Sequence, residues 1–350
     1  MERDFESIVR VGVDLGQSRV QVHAVDLADR VVVARQLHRA DFLEWCTRLP
    51  ADCMVAMEAG SASHYWGRTL SLAGLDARLI AASFVAPYRL AGKTGKSDSN
   101  DAEAICEAAA RPRMRFVPVK TSLQQSWLAI HALRDGYIKE RRSATNRIRS
   151  ILVEFGIVLP RSTGKVRNLM PAVLTDKDNV LPPVLKAALR QSFAHFQEIE
   201  RRIDWCDKQV ERHVKADVNA KRAMGVWGIG VLGASALAAT CGDLRQFKNG
   251  RQFGAWMGLV PSQHSSGGNQ RLGRITKHGD SYLRKLLVIG ARSALRVARK
   301  RDDPTARWAS QVLGRVGWPK ASVALANKNA RILWATLAKN QDSRSARLTT

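Results

Sequence analysis

Four acidic residues in the first third of this 350-residue chain have types and spacing that suit chemistry on phosphate. Asp14 closes one apolar, β-branched run (VGVDLG), Glu58 closes a second apolar run (CMVAMEAG), and Asp98 and Asp101 head a helix-forming segment, DSNDAEAICEAAA. A spacing of three puts Asp98 and Asp101 on one helical face, where both can point at the same place. Four clustered carboxylates repel one another unless cations lie between them. An all-oxygen donor set of this size suits Mg²⁺, with Mn²⁺ as the alternative, and a paired metal site would promote in-line displacement at phosphate.

Each residue also has a plainer reading. Asp14 in VDLG fits the phosphate-binding turn of an actin-like or sugar-kinase ATPase. Asp98 and Asp101 fit helix capping and charge complementation, and Glu58 fits capping of the helix that follows it. Taken together, the order Asp, Glu, Asp-x-x-Asp on one α/β sheet favours a nuclease-type site. An ATPase would also need a second Gly-rich phosphate loop in an α/β second half, and the second half of this sequence reads as helical and basic.

The elements that must position these acids can be read from periodicity. SIVRVGVDLG and the two β-branched runs of RVQVHAVDLADRVVVARQL predict a three-strand meander. A short helix over 40–49, a buried strand ending at Glu58, a helix over 61–73, the strand ARLIAA and the helix DAEAICEAAA follow. This order implies α/β architecture, a mixed sheet of the ribonuclease-H type spanning 1–115. The first and fourth strands are neighbours in such a sheet, which would bring Asp14 and Glu58 together.

The rest predicts an all-α part. A helix over about 121–155 is closed by Pro160, a loop follows, and a second long helix covers 184–214. These two make a helical, coiled-coil arm over 116–220, with Arg134, Arg141, Arg142, Arg147 and Arg149 expected on outward faces. From 221 to 340 a mainly helical C-terminal domain is expected, and 341–350 should be a disordered tail. It begins with VWGIGVLGASALAAT, whose Gly228-Ile-Gly230 turn opens a helix of small residues. That pattern is helix–hairpin–helix-like, an element that meets nucleic-acid backbone through the turn's amides.

Charge separates these regions. Lys and Arg total 56 against 31 Asp and Glu, a net of +25. Residues 1–110 are net −3, residues 111–240 are +12, and residues 241–350 are +16. The excess predicts a polyanionic partner for the last two thirds, DNA or RNA first, and 45% hydrophobic content excludes a disordered basic tail. No apolar run reaches the ~18 residues a spanning helix needs, and MERDFESIVR lacks an apolar signal core. The expectation is a cytoplasmic protein with no membrane partner. Five scattered cysteines without CxxC spacing argue against a disulfide framework and a zinc site.

Three blocks then resemble a known family in order. VGVDLGQSRVQVHAVD, MEAGSASHYWGRTL and GKSDSNDAEAICEAA resemble the successive motifs of the DEDD transposases of the "insertion sequence 110" family. WGIGVLGASALAA, RQFGAWMGLVPSQHSSGG and RLGRITKHGDSYLRKLLVIGARSA are similar to that family's transposase domain. The resemblance implies that Asp14, Glu58, Asp98 and Asp101 bind divalent metal in a RuvC-like domain. It also implies a serine nucleophile just before the first glycine of the loop after GLVP, which is Ser266. Ser265 is the adjacent alternative, and Ser262 a more distant one. It implies recombination of donor and target DNA guided by a structured RNA. The family works as a homo-oligomer, dimer or tetramer, in which one subunit's carboxylate domain meets another's serine domain. Arg271, Arg274, Lys277 and Arg284 follow the loop and are candidates to stabilise charge on phosphate, with His264 a further candidate. The competing readings are a metal-dependent RuvC-like endonuclease or junction resolvase without a covalent serine step, and a nucleic-acid-binding protein without catalysis.

Overall fold

The computed structural model describes residues 5–89, 97–264 and 271–339. The chain divides into two compact units, Met1–Ser122 and Leu123–Thr350. Residues 116–122, expected to open the arm, belong to the first unit, and the rest of the arm shares the second unit with residues 221–340.

In the first unit β1 (Arg10–Leu15), β2 (Arg19–Val25) and β3 (Val31–His38) form the meander. They are followed by α1 (Phe42–Thr47), β4 (Met54–Glu58), α2 (Ser63–Leu72), β5 (Asp76–Ile80), α3 (Ala82–Val85), α4 (Asp98–Ala109) and β6 (Phe116–Val117). The six strands form one mixed sheet in the order β3-β2-β1-β4-β5-β6. β1 runs antiparallel to β2 but parallel to β4, with Val13 opposite Met57. This is the mixed α/β sheet that a ribonuclease-H-like domain requires.

Strand alternation decides what each face packs against. Val11, Val13, Val55 and Met57 are fully buried in one core with Phe42, Trp45, Trp66 and Leu70 of α1 and α2. Ala56 and Ile80 face the other way, into a core with Ile105 and Ala108 of α4. Gly12 lies on that second face, and a Cβ built on it would sit 2.2 Å from the Ala102 carbonyl oxygen and 2.4 Å from the Cys106 nitrogen. α4 therefore rests on bare strand backbone, closer than any side chain would allow.

Among its described residues the second unit is helical apart from one hairpin. It comprises α5 (Ser122–Val153), α6 (Thr163–Thr175), α7 (Pro183–Ala216), α8 (Val218–Met224), α9 (Val231–Cys241) and α10 (Gly250–Trp256). The antiparallel strands β7 (Pro261–Gln263) and β8 (Leu272–Ile275), α11 (Ser281–Val297) and α12 (Pro304–Ala338) complete it. α12 is broken at Gly317, whose φ of 74° lies outside the helical region, two residues before Pro319.

α6 corrects the sequence expectation of a loop between the long helices. Val166, Met170 and Leu174 recur at helical spacing and are buried against Ile148, Leu189 and Phe193, so tertiary packing holds a helix that contains Pro171. The arginine stripe is also corrected in part. Arg134 pairs with Asp207, Arg141 lies 3.7 Å from Glu200, and Arg149 donates to the Leu159 carbonyl oxygen. Of the five, Arg142 and Arg147 are exposed. The 134–207 and 141–200 pairings run in opposite chain directions, so α5 and α7 pack antiparallel.

A buried polar node joins four of these helices. The fully buried Ser235 hydroxyl of α9 lies 2.8 Å from His131 Nε2 on α5 and 2.8 Å from His213 Nδ1 on α7. His131 Nδ1 meets the Tyr282 hydroxyl of α11 at 3.1 Å, and Trp127 stacks on His213 at 4.2 Å. Serine has one proton to give, so at least one of the two imidazoles must donate to it. Burial, then the neighbouring His213 and Arg134, push His131 down to about 4, and burial lowers His213 also. The folded state thus prefers neutral rings. This stabilisation is complete above pH 6.5 and is lost as pH falls through 6.5 toward 4, amounting to about 3 kcal/mol for His131. Denaturant midpoints at pH 7 and pH 4.5 should show it: His131→Asn should be destabilised at pH 7 yet lose less on acidification than the wild type. Equal losses in the two proteins would refute the role of the ring.

Candidate active site

Asp14 and Glu58 each stand one residue past the Val13–Met57 register pair, at the C-terminal ends of two adjacent parallel strands. The seating of α4 on Gly12 brings the start of that helix to the same end of the sheet. Ser97 caps α4, its hydroxyl accepting from the Asn100 amide at 3.3 Å. The cap is therefore supplied by Ser97, and Asp101 is turned elsewhere. At the next helix the Gly60 amide donates to the Ser63 hydroxyl at 3.1 Å, while the Glu58 carboxylate also faces away.

Both acids face Arg89. Its Nη2 donates to Glu58 Oε2 and its Nε to Asp101 Oδ1, each at 2.6 Å. Asp14 is half-buried within the field of this pair. Burial raises its carboxyl above the ordinary range, the charges of Asp101, Asp98 and Glu58 raise it further, and Arg89 opposes them. All four predicted acids therefore share one electrostatic environment, with Asp98 the most exposed of them. Among the described residues, no three His, Cys, Asp or Glu side chains are gathered tightly enough to enclose an ion. Arg89 engages two of the carboxylates instead. The donor set itself, oxygen only and incompletely neutralised, fits a hard divalent cation.

Arg89 was missed by sequence reasoning. Its signal was faint: it is the one basic residue in the largely apolar stretch 79–92, next to the Gly- and Lys-rich segment.

The predicted nucleophile, Ser266, and its alternative Ser265 lie outside the described residues. Residues 265–270 connect β7 to β8, and just outside them the His264 amide donates to the Arg271 carbonyl at 2.9 Å. Ser262 donates its hydroxyl to the Arg274 carbonyl at 3.1 Å, which ties it to the hairpin. The turn after β8 is fitted against the end of α10, and a Cβ on Gly279 would meet the Trp256 oxygen at 1.9 Å. Arg284 Nη1 donates to the Met257 and His278 carbonyls at 3.2 and 3.1 Å, fastening that turn. Arg271, Arg274, Lys277 and His264 are exposed around the same hairpin.

The Gly228–Gly230 turn divides in role. Gly228 has φ of 89° and packs on α11, where a Cβ on Gly290 would meet the Gly228 oxygen at 1.9 Å. Gly230 begins α9 and faces open space, beside an apolar groove lined by Trp227, Ile229, Leu286 and Ile289. Among the described residues no helix is long and apolar enough to cross a membrane.

Comparison with known proteins identifies relatives of this chain. A profile of the DEDD-type IS110 transposase domain matches residues 11–157, and one described as the IS116/IS110/IS902 transposase family matches residues 220–306. A DEDD-type domain implies dependence on a divalent metal. The chain is 45% identical over 334 residues to a probable family 20 transposase of Pseudomonas aeruginosa, covering 95% of this chain and 98% of that one. It is 35% identical over 342 residues to the transposase for insertion sequence element IS1111A of Coxiella burnetii, covering 98% and 93%. It is also 35% identical over 328 residues to the transposase for IS1328 of Yersinia enterocolitica, covering 94% and 96%. With such similarity over nearly the full length, and with the acidic motifs gathered at one end of a mixed sheet, the chain belongs to the IS110 family of transposases, DNA enzymes that mobilise insertion sequences.

Proposed function

We propose that this transposase cleaves and rejoins DNA through a covalent serine link, with metal-bound carboxylates serving the same reaction and a structured RNA directing the choice of donor and target. The convergence of Asp14, Glu58, Asp98 and Asp101 at one sheet end is the observation that supports it most. Mg²⁺ or Mn²⁺ held there would polarise a phosphate and neutralise charge developing on it. Asp14, Glu58 and Asp101 would supply the partly buried ligands, and Asp98 the exposed one. Ser266 Oγ would attack a DNA phosphodiester, forming an O–P bond as the DNA oxygen leaves with a proton. The phosphoserine link keeps the bond energy, so the reverse attack by another DNA hydroxyl restores both serine and strand. The exposed Arg271, Arg274 and Lys277 are suited to the DNA phosphate beside that loop. Arg284, with one nitrogen held by two carbonyls, would support the turn and contribute less to binding.

The charge distribution supports two nucleic-acid partners on one protein. A net of +28 follows residue 110, and the protein would act as a homo-oligomer, dimer or tetramer, presenting that surface to RNA and DNA together. The test is strand exchange between plasmids bearing the element ends, with RNA transcribed from the element's own non-coding flank. Recombinant product is expected only with both RNA and divalent metal present, and with base changes in the RNA loops redirecting the target. Product formed equally well without RNA would overturn the guided reading.

A further inference from the structure

We propose that Arg89 is the internal counter-ion of the carboxylate site and competes with the divalent cation for Glu58 and Asp101, its guanidinium being released as the ion is taken up. The inference rests on the reading of the four acids as metal ligands.

The geometry is that of a bridge. One planar group spans two carboxylates from different elements, Glu58 at the end of β4 and Asp101 in the first turn of α4. Charge-assisted bonds at 2.6 Å are at the strong end for such pairs. A guanidinium has five N–H donors and no acceptor, so it cannot join a coordination shell. It also places a positive charge against the oxygens a second cation would use. Arg89 and a divalent ion therefore compete for the charge and lone pairs of Glu58 Oε2 and Asp101 Oδ1.

The surroundings let the side chain move without the backbone. Val85 is fully buried with Ile80 and Ile105, and Tyr88 packs against that same core beneath the Arg111 guanidinium at 5.3 Å. Pro87 stiffens the short 3₁₀ turn between them, and the Arg89 amide donates to the Ala86 carbonyl. The Arg89 side chain itself is 35% exposed, so its path to solvent is open. Rotation about its own bonds suffices to give up both acids. A released guanidinium, still anchored at the rim, is then placed to meet an incoming phosphate.

The experiment is a Mn²⁺ titration of full-length protein, with free ion read by electron paramagnetic resonance. Losing two partly exposed ion pairs as competitors should tighten Mn²⁺ binding by about tenfold in Arg89→Gln. Arg89→Lys, a single point of charge that cannot bridge both acids, should fall between Arg89→Gln and wild type. Unchanged or weaker binding by folded Arg89→Gln overturns the proposal, since it would mean that Arg89 holds the acids in the ion's favour. The wild-type protein gives a second readout that needs no variant to fold. The ¹⁵Nε resonance of Arg89 should shift on Mg²⁺ addition as its bond to Asp101 is lost, and a resonance that does not move overturns the proposal equally. The underlying reading fails separately: Asp14→Asn and Asp101→Asn proteins that bind Mn²⁺ as the wild type does would remove the metal site itself.

Discussion

Alanine at Asp14 or at Asp101 is expected to lower strand cleavage by roughly a thousandfold or more, the several kcal/mol that a well-placed metal contributes to phosphoryl transfer. Nucleic-acid affinity should be unchanged within a factor of about two, since neither change removes a positive charge. Asp14 is the most sensitive of the four. It is half-buried and lies within the field of the other three acids. Asp101 follows, because it is partly buried and positioned by the seating of α4 on Gly12. Asp98 is exposed and should have the smallest effect. The measurements are a gel assay of labelled donor cleavage in Mg²⁺ and a mobility-shift titration without it. Cleavage at the wild-type rate by Asp14→Ala would eliminate the carboxylate mechanism.

Ser266→Ala is expected to abolish both recombination and the covalent protein–DNA adduct, without weakening DNA or RNA binding. The adduct separates this mechanism from that of a metal-dependent endonuclease, which would cleave without one. Denaturing gels of labelled DNA should show a protein-linked band for the wild type and none for Ser266→Ala, and mass spectrometry should place the phosphate on residue 266. Phosphate on residue 265, with Ser265→Ala inactive, would move the nucleophile by one position. Ser262→Ala should retain the adduct, because its hydroxyl is occupied by the Arg274 carbonyl within the hairpin. Wild-type strand exchange by Ser266→Ala would end the serine assignment.

The carboxylates were legible in the sequence because strand ends and helix starts are punctuated there. Apolar runs stop at Asp14 and Glu58, and Asp98 and Asp101 head the helix-forming segment after the Gly- and Lys-rich stretch. The pairing of β1 with β4 followed from the alternation of elements, since a ribonuclease-H-type sheet makes the first and fourth strands neighbours. Arg89 was not legible. Nothing in a run of Ala, Phe, Val, Pro and Tyr says that its one guanidinium will reach acids 31 and 12 positions away. The buried node at Ser235 was hidden for a similar reason: His131 and Tyr282 are 151 residues apart and no local pattern connects them. α6 escaped because Pro171 and Gly164 argue against a helix locally, while Val166, Met170 and Leu174 matter only once α5 and α7 are in place.

The missing side chain at position 12 makes α4 and β1 behave as a ruler. With Ala102 and Cys106 seated in the notch that Gly12 leaves, the helix has one axial setting along the strand, and the distance from Asp14 to the acids of α4 is measured in helix residues counted back from that notch. Each residue is worth about 1.5 Å of rise and about 100° of rotation. A single insertion between Asp101 and Ala102 would leave the seat and the sheet intact while swinging both acids away from Asp14. An insertion after Cys106 would leave their bearing untouched. Length polymorphism in this helix is thus permitted on one side of a fixed mark and forbidden on the other.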